Sequence, residues 1–339
     1  MVQIQHIIAG ALLIANSLLA AAVPRPPPFI ELKGAARLRR GETAAAAQPQ
    51  FNLDFPDPAV IKVGSTWYAF ATNSNGKHVQ AAEAPHALGP WTWLDIDLLP
   101  DGGWTTGNNT WAPDVRRLDD GTFVMYYSGE APGGGGRHCI GVAISRDVLG
   151  PYTPQATPFA CPLDRGGAID ASGFLDTATR RRYVVYKVDG NNLGHGGECN
   201  NLVAPIESTP ILLQEVAADG MTPIGAAVQI LDRSDEDGPL VEAPDLVRAA
   251  DGTYVLFYSS HCFTSPEYVV RYAKAATVAG PYVKAAAPLL RTGVLGLTAP
   301  GGATSAEEGG ALLYHADCAE GRCLFVADYT LQEGMVVLT

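Results

Sequence analysis

The chain has 339 residues, 47% of them hydrophobic and 17% charged, with a formal net charge of −12. That apolar fraction supports a sizeable core and excludes wholesale disorder, while the acidic balance argues against nucleic acid and anionic lipid as partners. The 37 glycines and 25 prolines are scattered, as many short strands joined by turns require.

From the N-terminus, Ile7 to Leu19 form an apolar run followed by Ala20-Ala21-Ala22. The run is too short to cross a bilayer and the small residues suit signal-peptidase cleavage, so residues 1–22 read as a signal peptide of a secreted protein. Residues 23–50 are rich in Pro and Ala, with Arg39-Arg40 in the middle. They read either as a disordered linker or as a pro-segment cut after the dibasic pair. Six cysteines remain beyond that point, Cys139, Cys161, Cys199, Cys262, Cys318 and Cys323. An even number in an exported chain points to disulfides, and the lack of Cys-x-x-Cys argues against structural zinc. Cys318 and Cys323 are close enough to close a hairpin; the sequence does not choose among the other pairings. Asn108-Asn109-Thr110 is a glycosylation sequon.

From residue 51 the chain repeats itself. Asp57, Asp114 and Asp245 each precede, by seven residues, a glycine and then a strand rich in aromatic and β-branched residues: Trp67–Phe70, Phe123–Tyr127 and Tyr254–Tyr258. The same three units end on Gly89-Pro90-Trp91, Gly150-Pro151-Tyr152 and Gly280-Pro281-Tyr282. Two weaker units start near Asp170 and Pro300. Five antiparallel units predict an all-β, five-bladed β-propeller, a single domain over residues 51–339. In such a ring the first strand of each blade lines a central funnel, so blade starts converge from distant parts of the chain. Acids recur at those starts. Asp114 and Asp245 read as turn formers bonded to their own backbone. Trp111 aligns with Glu242 and should offer the funnel an aromatic face for stacking on a sugar ring.

Phe55-Pro56-Asp57-Pro58-Ala59-Val60-Ile61, Trp111-Ala112-Pro113-Asp114-Val115, Ile169-Asp170-Ala171-Ser172 and Glu242-Ala243-Pro244-Asp245 resemble, in order, the blade-start motifs of family 43 of the glycoside hydrolases. The resemblance runs from about Phe51 to the C-terminus. It implies an inverting hydrolase acting on pentose-containing plant polysaccharide, with Asp57 as the base that activates water, Glu242 as the acid that protonates the leaving oxygen, and Asp170 holding and tuning the acid. Cleaving an acetal through an oxocarbenium-like state needs one carboxyl protonated and another ionised at the same pH, and a third carboxylate nearby disfavours ionisation of the acid. The internal repeat nominates a rival base, Asp54, three residues before Asp57 as Glu242 is before Asp245; the family motif nominates Asp57, which we follow.

Family members commonly carry a Gly-His pair in the fifth blade, whose His reaches a metal or water in the central channel. The stretch Ala299-Pro300-Gly301-Gly302-Ala303-Thr304-Ser305 has no His, so no metal ligand is assigned and a channel calcium is doubtful. The loop from Asp189 to Gly197 reads as a substrate-side loop, with Asn192 and His195 as candidate sugar contacts and His261 as another; His315 reads as structural. No cofactor is expected, the partner is a neutral polysaccharide or oligosaccharide, and the protein is expected to be a monomer. With no β-sandwich after the fifth blade, arabinan or arabinofuranoside is favoured over β-xyloside. Two alternatives stand beside this: a non-catalytic sugar-binding propeller, and a retaining fructan hydrolase of the related fold. The second normally has Asn-Asp-Pro and Glu-Cys motifs, where this chain has Pro56-Asp57 and Glu242-Ala243.

Overall fold

A computed structural model describes residues 46–332 and 334–339; the expected signal peptide and most of the expected linker lie outside the described residues. The described chain forms five four-stranded antiparallel sheets, each made from consecutive strands. Blade 1 holds β1 (Ala59–Val63), β2 (Thr66–Ala71), β3 (Gln80–Ala84) and β4 (Thr92–Leu94). Blade 2 holds β5 (Trp111–Arg117), β6 (Phe123–Glu130), β7 (His138–Ser145) and β8 (Thr153–Pro154). Blade 3 holds β9 (Ala168–Asp176), β10 (Arg181–Val188), β11 (Ile211–Val216) and β12 (Pro223–Leu231). Blade 4 holds β13 (Val241–Arg248), β14 (Tyr254–Ser260), β15 (Val269–Ala275) and β16 (Val283–Lys284). Blade 5 holds β17 (Gly301–Ser305), β18 (Ala311–Cys318), β19 (Gly321–Gln332) and β20 (Met335–Leu338). This is a five-bladed β-propeller.

No blade has a core of its own; each hydrophobic cluster lies between two neighbours. Ile61, Phe70 and Val79 of blade 1 meet Val115, Met125 and Tyr127 of blade 2. Val124 and Val142 meet Val184 and Val188 across blades 2 and 3, and Val185 and Leu213 meet Leu246 and Leu256 across blades 3 and 4. Val255 and Phe257 meet Leu312 and Tyr314 across blades 4 and 5. The ring closes where Phe55, Val60 and Ala69 pack against Leu313 and Leu324. Backbone bonds seal that joint: the N–H of Phe55 donates to Arg322 O and that of Gln50 to Leu324 O, both at 2.8 Å.

The Gly-Pro-aromatic endings share one local structure. The glycines have φ of +95°, +74° and +85°, a region glycine enters without steric cost. Each aromatic turns back on the residue four before it: Trp91 Nε1 donates to Ala87 O at 3.1 Å, Tyr152 OH to Val148 O at 3.0 Å, and Tyr282 OH to Val278 O at 3.0 Å. The motif therefore anchors the loop that feeds each outermost strand.

The six cysteines pair as Cys139–Cys161, Cys199–Cys262 and Cys318–Cys323. The last closes the β18–β19 hairpin, as its spacing suggested. Asn108 of the sequon is exposed between β4 and β5. Among the described residues no helix is long and apolar enough to cross a membrane.

Candidate active site

The site grows from a feature repeated in every blade. One residue near the start of each innermost strand takes a left-handed backbone: Asp57 (φ +53°), Ala112 (+42°), Asp170 (+59°), Ala243 (+50°) and Gly302 (+56°). In blades 2 to 5 this residue lies within a register shift of the ladder, and such a bulge re-aims the side chains beside it. Non-glycine residues hold this conformation at a cost of about 1–3 kcal/mol and cluster at functional sites.

Each of these residues donates its N–H to a side chain. Ala112 donates to Thr72 Oγ1 at 2.8 Å, Asp170 to Ser128 Oγ at 2.9 Å, Gly302 to Ser259 Oγ at 2.9 Å, and Asp57 to His315 Nδ1 at 3.0 Å. Those acceptors sit at one position, next to the aromatic or alanine that ends the apolar run of the second strand. In blade 3 that position is Lys187, which cannot accept. There the N–H of Ala243 goes instead to Asp170 Oδ2 at 3.0 Å.

This equivalence corrects the register read from the sequence. Asp57 corresponds to Ala112 and Ala243, and the counterpart of Asp114 and Asp245 is Ala59, two residues on: Ala59 pairs with Phe70 as Asp114 pairs with Tyr126 and Asp245 with Phe257. Blade 1 has a tighter first hairpin, which hid the shift. Asp114 and Asp245 are not turn formers either. Asp114 Oδ2 accepts the N–H of Gly173 at 2.8 Å and Asp245 Oδ2 that of Ser305 at 2.8 Å, each from the next blade. Buried Arg116 bridges them, its Nε 2.9 Å from Asp114 and its Nη2 3.3 Å from Asp245. They fasten blades together.

Asp57, Asp170 and Glu242 line one cavity of about 210 Å³, together with Trp111, Asn192, Lys187, Asp189, Tyr268 and Arg322. Glu242 is buried and both its oxygens are engaged: Tyr268 OH donates to Oε1 at 2.8 Å and Lys187 Nζ to Oε2 at 2.9 Å. Lys187 also lies 2.9 Å from Asp189 Oδ1. Burial works against its charge, but Asp189 and Glu242 outweigh burial and raise its pKa. Burial and the neighbouring Glu242 push the Asp170 carboxyl well above its ordinary value, with Lys187 opposing them. Asp57 differs. Burial pushes it up, but the Arg322 guanidinium and the Thr72 hydroxyl oppose that, and the carboxyl is held below the usual carboxylate range. Thr72 Oγ1 donates to Asp57 Oδ2 at 2.5 Å, and Arg322 Nη1 reaches Oδ1 at 3.4 Å. Asp57 is thus held ionised, while Asp170 is held toward its protonated form.

Of the remaining sequence candidates, Trp111 stacks one face on His138 at 3.6 Å between ring centroids, which fixes the ring in the cavity wall. Asn192 lines the cavity, with its amide donating to Gly166 O at 2.8 Å and Asp189 Oδ2 at 2.6 Å. His195 and His261 are not among the lining residues. His195 Nδ1 is 3.1 Å from Pro205 O within its own loop, and the ring of His261 is turned toward Glu267, 3.6 Å away. Asp54 is not in the cavity lining either; its carboxylate accepts the Arg322 N–H at 2.8 Å. His315, read as structural, is buried and touches Asp57. Lys187, Asp189, Tyr268 and Arg322 were missed. Lys187 was findable, because it stands where Ser128 and Ser259 stand in their strands; Tyr268, just before β15, and Arg322, second in β19, were not flagged by the repeat motifs.

A smaller cavity of about 30 Å³, enough for a water molecule, shares Asp57 and Asp170 with the larger one. Its carboxylates do not gather into a cation site. Among the described residues, the one set of three closely grouped His, Cys, Asp or Glu donors is Cys318, Glu320 and Cys323, and its cysteines share a disulfide. The fifth blade has Gly302 facing this region. A Cβ there would come within 2.7 Å of His315 Nδ1 and 3.1 Å of Asp57 Oδ1. The ring of His315, from the adjacent strand, fills that space, so the residues present do not fit a resident metal held from position 302.

Residues 46–322 match the family model for glycosyl hydrolases family 43. Extracellular endo-alpha-(1->5)-L-arabinanase 1 of Bacillus subtilis (strain 168) is 24% identical over 260 residues, 71% of this chain and 72% of that protein. Extracellular endo-alpha-(1->5)-L-arabinanase of Thermotoga petrophila is 33% identical over 132 residues, 34% of this chain and 26% of that protein, so the matched stretch spans about a quarter of its length. A beta-xylosidase of Formosa agariphila is 25% identical over 225 residues, 62% of this chain and 33% of that protein. The crystal structure of a thermostable family-43 glycoside hydrolase superposes with a TM-score of 0.72 at 25% identity, covering 87% of this chain and 96% of that one.

Proposed function

The chain belongs to family 43 of the glycosyl hydrolases, and from that membership we propose a secreted, inverting enzyme that hydrolyses pentose linkages of plant cell-wall polysaccharide. Arabinofuranosyl linkages are the first choice and xylosyl linkages the second. One observation carries the reading: Asp57, Asp170 and Glu242, from three blades, line one cavity. Names of relatives favour arabinan, and the three disulfides suit an oxidising compartment.

Asp57, kept ionised by Arg322 and Thr72, takes a proton from the attacking water. Glu242 gives a proton to the leaving oxygen from the opposite side of the sugar, and for this it must carry one, releasing either Lys187 or Tyr268. Asp170 adjusts that balance. The cavity lining holds four carboxylates, Asp57, Asp170, Asp189 and Glu242, against two cations, Lys187 and Arg322. This excess of negative charge favours retaining a proton among them. Asp57 is the base in preference to Asp54, whose carboxylate is spent on the Arg322 backbone.

The test uses aryl arabinofuranoside, aryl xyloside, linear arabinan and xylan, with the anomer of the first product followed by NMR. Inversion is expected. Asp57→Asn and Glu242→Gln are expected to lose about 10²–10⁴-fold in kcat/KM, the usual worth of acid–base catalysis, and Asp54→Asn much less. A Glu242→Gln protein as active as the wild type, or a retained anomer, overturns the mechanism.

A further inference from the structure

One side of the cavity is a wall assembled from three blades. Where blades 1 and 4 join their second and third strands through residues 72–79 and 261–268, blade 3 uses residues 189–210. Cys199 in this long loop is bonded to Cys262 in the blade 4 loop, and Cys199 and Phe263 both line the cavity. The guanidinium of Arg322 lies 4.9 Å from the centre of the Phe263 ring. Arg322 comes from the blade 5 hairpin, which Cys318–Cys323 closes. The wall therefore runs from the blade 3 loop through a disulfide and an aromatic ring to the guanidinium that touches Asp57.

The long loop is also fixed from within. Asn201 Nδ2 donates to Glu207 O at 3.0 Å and to Pro239 O at 2.7 Å. Asn200 Nδ2 donates to Asn191 O at 3.0 Å and Gly194 O at 3.1 Å. These bonds satisfy backbone carbonyls inside the loop and against the neighbouring blade and hold the wall in place. The space it bounds, about 210 Å³, is below the roughly 300–1,000 Å³ of pockets for drug-sized ligands. It suits one pentose ring with the attacking water, and not a run of sugars laid across the site.

We propose that the Cys199–Cys262 and Phe263–Arg322 wall makes this enzyme exo-acting. A chain enters end-first, water adds across the terminal linkage, and each turnover releases one free pentose and a chain shortened by one residue. This rests on the glycosidase reading above and adds to it the mode of attack.

The experiment follows products by chromatography, with viscosity in parallel, on linear arabinan and xylan and on reducing-end-labelled oligosaccharides of each. Aryl pentosides serve as the control for chemistry. The intact protein is expected to release monomer alone from the first time point, with viscosity falling late. Phe263→Ala, which keeps the disulfide, and Cys199→Ser/Cys262→Ser are expected to shift the products to a mixture containing dimer and trimer. An intact protein that cleaves aryl pentosides yet releases internal fragments from the start overturns the wall and leaves the glycosidase reading standing. So does a folded, active Phe263→Ala protein that still yields monomer only. Inactivity on aryl pentosides and polysaccharides alike overturns both readings.

Discussion

Lys187 and His315 hold the same position in the plan of the propeller, and each replaces the hydroxyl found there in blades 1, 2 and 4 with a group that acts on a carboxylate of the site. Lys187 is 1% exposed and its ammonium is shared between Asp189 and Glu242. Removing one partner from a buried charge network costs about 3–5 kcal/mol, because the groups left behind are neither solvated nor paired. Lys187→Met is therefore expected to be strongly destabilised in urea at pH 7. A Lys187→Met protein with the urea midpoint of the wild type would refute the electrostatic account. His315 works in the opposite direction. Burial pushes its pKa down from 6.5 to about 3, so the folded ring stays neutral and Nδ1 remains free to accept the Asp57 N–H. The unfolded chain binds a proton at this ring from about pH 6.5 downward, while the folded chain does so only near pH 3. This contribution is thus fully present above pH 6.5 and is lost as pH falls toward 3, by about 1.4 kcal/mol per unit. Asp245, raised to about 6 by burial, acts in the contrary sense, so the wild-type curve alone does not isolate the histidine. The difference from His315→Gln does: the wild type should lead most at pH 7, and its lead should narrow steadily below pH 6.5.

At the scale of the strand, the bulge with its left-handed residue explains both what the sequence revealed and what it hid. The apolar second strands and the Gly-Pro-aromatic endings were legible because each is contiguous and is made by local hydrogen bonds and packing. From those alone came the blade count and the boundaries of three blades. The register of the innermost strands was not legible. The spacing of seven from aspartate to glycine counts a hairpin, but Gly64 stands only five residues after Ala59, the counterpart of Asp114, so Asp57 takes the place of that aspartate in the count. Asp114 and Asp245 read as turn formers because the N–H groups they accept, those of Gly173 and Ser305, lie in other blades. Asp57, Asp170 and Glu242 were named through the family motifs, and Trp111 through the internal alignment. Gly302 shows how tightly the bulges are fitted. Its backbone conformation is no obstacle to a side chain, since Ala112 and Ala243 hold φ of +42° and +50° at equivalent positions. The obstacle is the ring of His315, 2.7 Å from where a Cβ would stand. Gly302→Ala is expected to displace that ring and, with it, the base it holds, lowering kcat/KM on an aryl pentoside. Adding His315→Ser, which removes the ring and supplies the acceptor found at Ser128 and Ser259, should restore part of the loss. A double variant no better than the product of the single effects would show that the contact does not matter.

For the molecule as a whole, the decisive joint is the one between the first and last blades, because every carboxylate of the site depends on the ring being closed. With the cores lying between blades, an open ring would leave two apolar faces in water. The closure is made by the segment that leads into β1: Phe55 is fully buried against Leu313 and Leu324, and its N–H donates to Arg322 O. Arg322 in turn donates its own N–H to Asp54 and reaches Asp57 with its side chain. The residues that close the ring are therefore interleaved with those that set the base, and stability and catalysis share them. Phe55→Ala removes an aromatic ring from a fully packed site, a change that costs about 3–5 kcal/mol. The same substitution at Phe257, equally buried between blades 4 and 5, is the control. Both variants are expected to unfold at lower urea concentration. Phe55→Ala alone should also lose kcat/KM in the temperature range where it is still folded, because Asp57 and Arg322 flank the loosened joint. If the two variants lose stability alike and keep the same activity, the closure is a structural seam only and the base is held by Thr72 and His315 without it.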